Sequence, residues 1–253
     1  MSPNYQTFKH LHHTDELLVL PNAWDAHSAV RFQEQGFSAV ATSSAAVAQS
    51  LGYTDGENMP FEEYLFVIRR ILASVKIPFS VDLEMGYGSS AEEIADNIRK
   101  LIDLGVAGIN IEDSTISGSR RTLKDARSFA HTLDQIRNML WSKELFINVR
   151  CDTYILDVEN KQEETRRRLH LYETAGADCL FLPCIAQEKD IRDAVNATQL
   201  PLNVMYIPGL PDPATLSLLG VRRLSMGPYF FSKAYEQIDT LAKHLFNNKI
   251  AAT

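Results

Sequence analysis

Apolar and polar positions alternate in two patterns along nearly the whole chain. Short apolar runs rich in β-branched residues recur eight times between turn-forming residues, which predicts β-strands. The predicted strands are Leu17–Leu20, Ser38–Thr42, Pro78–Leu83, Ala107–Glu112, Leu145–Arg150, Asp178–Pro183, Pro201–Met205 and Arg222–Met226. Between them, apolar residues recur every three or four positions, as in helices that pack one face on a core. The predicted helices lie near residues 26–35, 60–75, 91–104, 121–140, 161–175, 187–197, 213–219 and 229–247.

Eight strands that alternate with eight helices predict a closed parallel (β/α)8 barrel of the TIM type. An open doubly wound sheet is the rival architecture, but LPNAWD follows the first strand where that fold carries a glycine-rich phosphate loop. A length of 253 residues suits one barrel, and no linker-like stretch divides the chain. We therefore expect a single domain over residues 1–253, with loosely held ends in the first dozen residues and at Asn247–Thr253.

Composition narrows the classes of function and the cell compartment. The formal net charge of −7, without a dominant basic face, argues against nucleic-acid binding. No apolar run approaches the ~20 residues that cross a membrane, and the N-terminus lacks the apolar segment of a signal peptide. Cys151, Cys179 and Cys184 are odd in number, which favours a reducing compartment over a disulfide framework. We expect a cytoplasmic protein with no nucleic-acid or membrane partner.

Charged residues gather where the predicted strands end, which is the edge that carries the chemistry of such barrels. Asp82 and Glu84 end the third strand, two positions apart and on the same side, and Glu112 ends the fourth. Hard oxygen ligands from neighbouring strand ends suit Mg²⁺, so we predict a divalent-cation site. The alternative is that these carboxylates cap helices or pair with lysines. Arg150, which ends the fifth strand, either forms a structural ion pair or clamps a substrate carboxylate.

Five stretches that together cover most of the chain carry a family resemblance. They read LPNAWDAHSAVRFQEQGFSAVATSSAAVAQSLGYTD, PFSVDLEMGYGSSAEEIADNIRKLIDLGVAGINIEDS, INVRCDTYIL, AGADCLFLPCI and PLNVMYIPGLPDPATLSLLGVRRLSMG. In these residues the sequence resembles the isocitrate lyase/phosphoenolpyruvate mutase superfamily, and within it a phosphonomutase-like subgroup with D-L-E-x-G-Y-G. The resemblance implies a (β/α)8 barrel that binds Mg²⁺ (or Mn²⁺) and a small α-keto or 2-hydroxy carboxylate. It also implies that a C–C or P–C bond is made or broken through a metal-stabilised enolate of the pyruvate type.

The resemblance also implies roles for particular residues. It implies that Asp82, Glu84 and Glu112 hold the cation, partly through water, with Glu84 standing where many members have Asp. Asp55 matches an acidic residue on a mobile loop after strand two, and Arg150 matches an arginine that binds the substrate anion. The turn after strand two matches residues that hold the substrate carboxylate or phosphonate, namely Ser43, Ser44 and Ala45. We expect Asp55, Glu112 and Arg150 to be the catalytic residues.

The loop after strand four departs from the best-known members. It reads EDSTISGSRRTLKD and lacks the K-[KR]-C-G-H signature of isocitrate and methylisocitrate lyases, so we do not expect tricarboxylate cleavage. It is also shorter than the loop of phosphoenolpyruvate mutases and phosphonopyruvate hydrolases. Arg120 and Arg121 in this loop are expected to begin the next helix, at least one of them as a solvated charge.

The remaining prediction is an Mg²⁺-dependent lyase or decarboxylase that cleaves a C–C bond of a small α-keto or 2-hydroxy carboxylate. Two alternatives stay open: a mutase or hydrolase of P–C bonds, and a non-catalytic relic that only binds its ligand. Trp24, after the first strand, and Tyr206, after the seventh, are further candidates for the substrate pocket; the alternative for Trp24 is packing beside a helix N-cap. The resemblance implies a homodimer or homotetramer, and the sequence does not single out a general acid or base.

Overall fold

The strands and helices follow the predicted alternation in a computed structural model that describes residues 3–118, 120–140 and 144–251. The strands are β1 (Leu18–Leu20), β2 (Asn22–Ala23), β3 (Val40–Thr42), β4 (Phe79–Asp82), β5 (Gly108–Glu112), β6 (Ser114–Ser117), β7 (Arg120–Leu123), β8 (Phe146–Arg150), β9 (Cys179–Leu182), β10 (Leu202–Met205) and β11 (Arg223–Ser225). The helices are α1 (Pro3–Leu11), α2 (Ala26–Glu34), α3 (Ser44–Ser50), α4 (Phe61–Leu72), α5 (Ala91–Leu104), α6 (Ala126–Met139), α7 (Lys161–Thr174), α8 (Glu188–Asn196), α9 (Pro213–Leu218) and α10 (Tyr229–Ala251).

Parallel pairing closes nine of these strands into a barrel. Their order is β1-β11-β10-β9-β8-β5-β4-β3-β2. β1 and β2 are consecutive pieces of one strand, divided at Pro21, whose nitrogen carries no hydrogen for the ladder. Because β1 pairs with β11 and β2 pairs with β3, the divided strand joins the two edges of the sheet. The predicted (β/α)8 barrel is thereby confirmed, and each of the eight predicted strands has its counterpart.

The segment after β5 differs most from the prediction. We predicted one helix over residues 121–140, but Ser114–Ser117 and Arg120–Leu123 pair as an antiparallel hairpin, and α6 begins only after Asp125. The Asp125 carboxylate accepts a hydrogen bond from the backbone N–H of Ser128 at 2.9 Å and so caps the start of the helix. Along β7 the side chains alternate between exposed and half-buried, a period of two that belongs to a strand.

The expectation of a loosely held N-terminal end is wrong for the described residues. Residues 3–11 form α1, and Phe8 on this helix is fully buried. The Phe8 ring lies edge-on to Phe146 at the start of β8, with 5.5 Å between ring centroids. A Cβ atom on Gly108, at the start of β5, would lie 2.7 Å from the Phe8 ring, so this close approach requires glycine. α1 therefore packs against the beginnings of the barrel strands.

The C-terminal end is helical rather than loose as far as the structure describes it. α10 continues through Asn247 to Ala251, and residues 252 and 253 lie outside the described part. Beyond Phe231 this helix is largely exposed and leaves the barrel surface. Among the described ranges, no helix, α10 included, is long and apolar enough to cross a membrane.

Candidate active site

A small cavity opens where the barrel strands end, at the edge predicted to carry the chemistry. Its volume is about 180 Å³. Six of the predicted site residues line it, namely Ser43, Ser44, Ala45, Asp55, Asp82 and Arg150. The rest of its wall consists of Asn22, Asn110, Ile155, Phe181, Pro183, Met205, Ser225, Gly227 and Pro228. Residues that are far apart in the sequence therefore meet around one space of small-molecule size.

The turn after β3 fixes one carboxylate of this cavity. The Ser43 hydroxyl accepts a hydrogen bond from the backbone N–H of Ala46 at 3.4 Å and caps α3. Ser44 donates two hydrogen bonds to Oδ2 of Asp82, from its backbone N–H at 3.2 Å and from its hydroxyl at 2.8 Å. The sequence did not predict α3, because its run of small residues shows no amphipathic period. This short helix orients the Asp82 carboxylate at the cavity wall.

The loop between α3 and α4 brings a second carboxylate to the same place. The Ser44 hydroxyl lies 3.5 Å from Oδ1 of Asp55 as well as beside Asp82. Burial, followed by repulsion from Asp82, raises the pKa of Asp55 above its ordinary value. Two carboxylates thus share one hydroxyl donor, and negative charge accumulates at this wall.

Glu84 is a third carboxylate on this side, and its side chain is only 3% exposed. Its Oε1 atom accepts a hydrogen bond from the Tyr87 hydroxyl at 3.0 Å, and its Oε2 atom accepts one from the backbone N–H of Glu57 at 2.9 Å. Burial, followed by repulsion from Asp55 and other nearby carboxylates, raises the pKa of Glu84 to about 8. Within the described residues, no Lys, Arg or His forms an ion pair with Asp55, Asp82 or Glu84. We call these three residues the open acidic group.

Glu112 and Asp152 form a second set, which we call the paired acidic group. Nη1 of Arg150 lies 2.8 Å from Oε2 of Glu112, and Nε of Arg150 lies 2.6 Å from Oδ1 of Asp152. Arg121, from β7, places Nη1 3.0 Å from Oδ2 of Asp152 and also contacts Glu112. Although burial alone would lower it, the carboxylates of Glu112 and Asp152 raise the pKa of Arg150. Two guanidinium groups therefore balance two buried carboxylates.

Arg150 combines the two interpretations that the sequence left open. A guanidinium carries five N–H donors. Asp152 accepts from Nε–H and from one N–H of Nη2, and Glu112 contacts Nη1. Arg150 also lines the cavity, with two N–H groups left over from its contacts to the described residues. The side chain is held by structural ion pairs and still faces the space that a ligand would fill.

The structure does not gather the three predicted metal carboxylates into one direct ligand set. Among the described residues, no group of three or more His, Cys, Asp or Glu side chains is arranged to hold a metal ion. Glu112 is taken up by its arginine contacts, and of the three only Asp82 lines the cavity. The assignment of Asp82, Glu84 and Glu112 to a cation stays a prediction.

The structure corrects the placement of two predicted pocket residues. Trp24 packs edge-on against Phe231, with ring centroids 5.3 Å apart, which is the packing role that the sequence left as its alternative. Tyr206 packs against Tyr229 at a centroid distance of 4.7 Å and is 40% exposed. Neither lines the cavity. Met205, the last residue of β10, lines the cavity, whereas Tyr206 lies beyond the end of that strand and packs on Tyr229.

Sequence reasoning missed the role of Arg121. Arg120 is exposed, as expected of a solvated charge, but Arg121 is half-buried and reaches Glu112, Asp152 and the Ser114 hydroxyl. The missed signal is the alternation of the RRTL segment, which places neighbouring arginines on opposite faces of a strand.

Comparison with known proteins places the chain in a family. Residues 8–246 match the model of the phosphoenolpyruvate phosphomutase family. The chain belongs to this family. The superfamily membership that the motifs indicated, isocitrate lyase/phosphoenolpyruvate mutase, is confirmed with it.

Relatives within this family carry different names. An uncharacterized protein of Mycobacterium tuberculosis is 36% identical over 225 residues, which are 88% of this chain and 83% of that protein. The 2-methylisocitrate lyase of Escherichia coli K12 is 29% identical over 232 residues, 88% of this chain and 76% of the lyase. The oxaloacetate decarboxylase of Pseudomonas fluorescens is 27% identical over 229 residues, 88% of this chain and 78% of the decarboxylase.

Solved structures share the fold. A structure from Burkholderia cenocepacia J2315, provisionally named a phosphonomutase, has a TM-score of 0.89 and 36% identity, and the match covers 95% of this chain and 99% of that one. Family members are lyases or mutases, and the protein is an enzyme of this superfamily.

Proposed function

We propose that the protein is a lyase or decarboxylase that depends on Mg²⁺ (or Mn²⁺) and cleaves a C–C bond of a small α-keto or 2-hydroxy carboxylate. The observation that carries the proposal is the cavity of about 180 Å³, which the carboxylates of Asp55 and Asp82 and the guanidinium of Arg150 line together. A space of this size suits a substrate of a few carbon atoms. Its opposed charges suit a ligand that binds a cation with one end and an arginine with the other.

The open acidic group supports the cation. Three neighbouring carboxylates without an ion-paired cation among the described residues are costly to bury. Burial first, and repulsion from the other carboxylates second, raise the pKa of Glu84. Among the described residues, Oδ1 of Asp82 has a single weak donor, the Asn110 side chain at 3.5 Å. Asp82 would therefore hold the cation most directly, with Glu84 and Glu112 around it. Bound there, Mg²⁺ would supply Lewis acidity that stabilises negative charge developing on the substrate oxygens.

The side chains of the cavity would divide the remaining work. Arg150, Ser43 and Ala45 would orient the substrate carboxylate, and Ser44 would keep Asp82 in place. When an α-keto diacid loses CO2, the electron pair of the broken C–C bond forms a pyruvate-type enolate, which then takes up a proton. A 2-hydroxy diacid would instead lose its hydroxyl proton to form the keto acid, and the electron pair would form the enolate of the departing carboxylate, which takes up a proton. Asp55 is our candidate for moving that proton, because a carboxyl group with a raised pKa exchanges protons closer to neutral pH.

The relatives support more than one bond type. The E. coli relative is named a lyase and the P. fluorescens relative a decarboxylase, which favours C–C cleavage. The name of the matching family, phosphoenolpyruvate phosphomutase, keeps P–C chemistry on a phosphonate as the second candidate.

A substrate panel tests the proposal. We would incubate the protein with oxaloacetate, 2-hydroxy diacids and phosphonopyruvate, with Mg²⁺ or EDTA, and measure pyruvate and inorganic phosphate. We expect Mg²⁺-dependent C–C cleavage, which Asp55→Asn abolishes while oxalate, a mimic of the enolate, still binds. Phosphate release without C–C cleavage would establish the second candidate instead. Oxalate binding without turnover of any panel member would favour the ligand-binding relic.

We also propose that the protein acts in the cytoplasm as a homodimer or homotetramer. α10 exposes apolar side chains on one stripe, with Ile238, Leu241 and Leu245 exposed by 55%, 61% and 63%. The three cysteines are free, which suits a reducing compartment. Light scattering coupled to gel filtration would measure the mass, and Leu241→Glu should lower it; a monomeric wild-type protein would contradict the assembly.

A further inference from the structure

The loop that carries Asp55 is fastened to the turn after β4 by two reciprocal hydrogen bonds. The backbone N–H of Glu57, two residues after Asp55, donates to Oε2 of Glu84 at 2.9 Å. In return the backbone N–H of Tyr87 donates to Oε1 of Glu57 at 2.7 Å. Each segment thus supplies one carboxylate and one N–H to the other. Both acceptors are side-chain carboxyl oxygens and both donors are backbone N–H groups, so the side chains of each segment tie it to the backbone of the other.

Further contacts fix the same loop. The Tyr87 hydroxyl holds the other oxygen of Glu84 at 3.0 Å, so both oxygens of this buried carboxylate are engaged. A Cβ atom on Gly56 would lie 2.6 Å from Cδ1 of Ile116, so the loop also packs closely against the β6–β7 hairpin. Glu57 itself adopts a φ of 60°, a left-handed conformation that is uncommon for glutamate and persists only when its surroundings impose it.

An ordinary surface role does not account for Glu57. Its side chain is half-buried, and within the described residues it forms no ion pair. Burial raises the pKa of Glu57, and the hydrogen bond from the Tyr87 backbone opposes that shift. A carboxylate that is desolvated to face the backbone N–H groups of Met85, Gly86 and Tyr87 is best explained by what these contacts hold in place.

We propose that Glu57 and Glu84 form a clasp, and that Glu57 is a positioning residue that holds Asp55 at the cavity. The inference rests on the proposed function, in which Asp55 moves the proton. The clasp also explains why a glutamate rather than an aspartate stands at position 84. An aspartate there would keep the negative charge but end one methylene earlier, short of the Glu57 N–H.

Two substitutions open the clasp from its two sides. Glu57→Asn suits the left-handed conformation but is too short to reach the Tyr87 N–H. Glu84→Asp keeps the charge beside Asp82 and removes the contact to the Glu57 N–H. The matched control is Glu93→Gln, because Glu93 accepts from the backbone N–H of Ser89 at the same 2.7 Å but does not touch the loop.

The rate of amide hydrogen exchange in residues 53–58 measures whether the clasp is closed, and this measurement does not require a substrate. In both variants we expect exchange of this loop to become about tenfold faster, as the loss of a buried hydrogen bond implies. The double variant should add little to either single one, because both changes remove one clasp. The control should exchange at the wild-type rate, and thermal unfolding would verify that all variants fold.

Activity provides the second measurement. Once a substrate is identified, Glu57→Asn should lower kcat more than it raises KM, because Asp55 is misplaced while the residues proposed to bind the substrate and the cation stay. Unchanged loop exchange in both variants would overturn the clasp. Faster exchange in both, with no substrate turned over by the wild-type protein, would support the clasp and count against the proposed function alone.

Discussion

The open and the paired acidic groups lie at the same edge of the barrel, yet their charges are balanced in different ways. In the paired group, Arg150 and Arg121 contact both buried carboxylates, Glu112 and Asp152. In the open group, Asp82 and its neighbours receive hydrogen bonds from Ser44, Tyr87 and backbone N–H groups but no ion pair from the described residues. The paired group has its counter-charges in ion pairs, whereas the open group has none in the described part of the chain and would be stabilised as a set of ions by a cation from outside.

This difference shows why a row of acids at strand ends is not one functional unit. Glu112 ends its strand just as Asp82 ends the neighbouring one, and the two strands pair in parallel. The hairpin after β5 nevertheless brings Arg121 to Glu112, while the open acidic group has no ion pair with any of the described residues. The ends of the barrel strands bring the acidic residues together. The residues of the connecting loops then determine which carboxylates form ion pairs and which can bind a cation.

The strongest test of the comparison is removal of charge from the open group. Asp82→Asn keeps the shape of the side chain but removes its charge, so we expect thermal stabilisation by Mg²⁺ with oxalate to disappear. We expect kcat to fall by about 10²–10³-fold, as when one group that stabilises developing charge is lost. Asp152→Asn, in the paired group, should keep the Mg²⁺ response. An Asp82→Asn protein that still responds to Mg²⁺ like the wild type would show that the cation binds elsewhere.

The barrel was predictable because each of the eight predicted strands is a short apolar run in the sequence. The charged residues were predictable as one set because they stand at the C-terminal ends of these runs. The errors lie where tertiary contacts override such patterns. α1 owes its place to Phe8, which packs on Phe146 and Gly108 from distant parts of the chain. α3 has the small residues of a turn and depends on its Ser43 cap.

The sequence predicted which residues line one cavity, but it did not predict which of them form ion pairs with each other. Asp55, Asp82 and Arg150 do line one cavity. Whether Arg150 binds a carboxylate of the chain or of a ligand depends on side-chain distances that no sequence spacing fixes. The same holds for Arg121, whose inward face follows from the hairpin rather than from a helix.

The next test removes one arginine from the paired group and measures the change in the free energy of unfolding. Arg121→Met leaves Glu112, Asp152 and the Ser114 hydroxyl short of a donor, so we expect a loss of about 1–3 kcal/mol in the free energy of unfolding, measured with urea. Arg120→Met changes the exposed neighbour on the same strand and should stay within about 0.5 kcal/mol of the wild type. Equal effects of the two substitutions would mean that the arginine contacts contribute little to stability.

The last expected effect is a dependence of stability on pH that belongs to the open group. The pKa of Glu84 is about 8 in the folded protein against an ordinary 4.5, so between these values the folded state holds a proton that the unfolded state has lost. The contribution of Glu84 to the free energy of unfolding therefore falls as the pH rises through this range, and it is fully present only below about pH 4.5.

Glu84→Gln mimics the protonated form, so in EDTA its stability should rise relative to the wild type as the pH increases. Urea unfolding of both proteins across this range measures the difference, with Glu93→Gln as the exposed control. Saturating Mg²⁺ should reduce the stability difference between Glu84→Gln and the wild type, because a cation favours the ionised carboxylate. A stability difference that does not depend on pH in EDTA would contradict the raised pKa of Glu84 and its place in the open group.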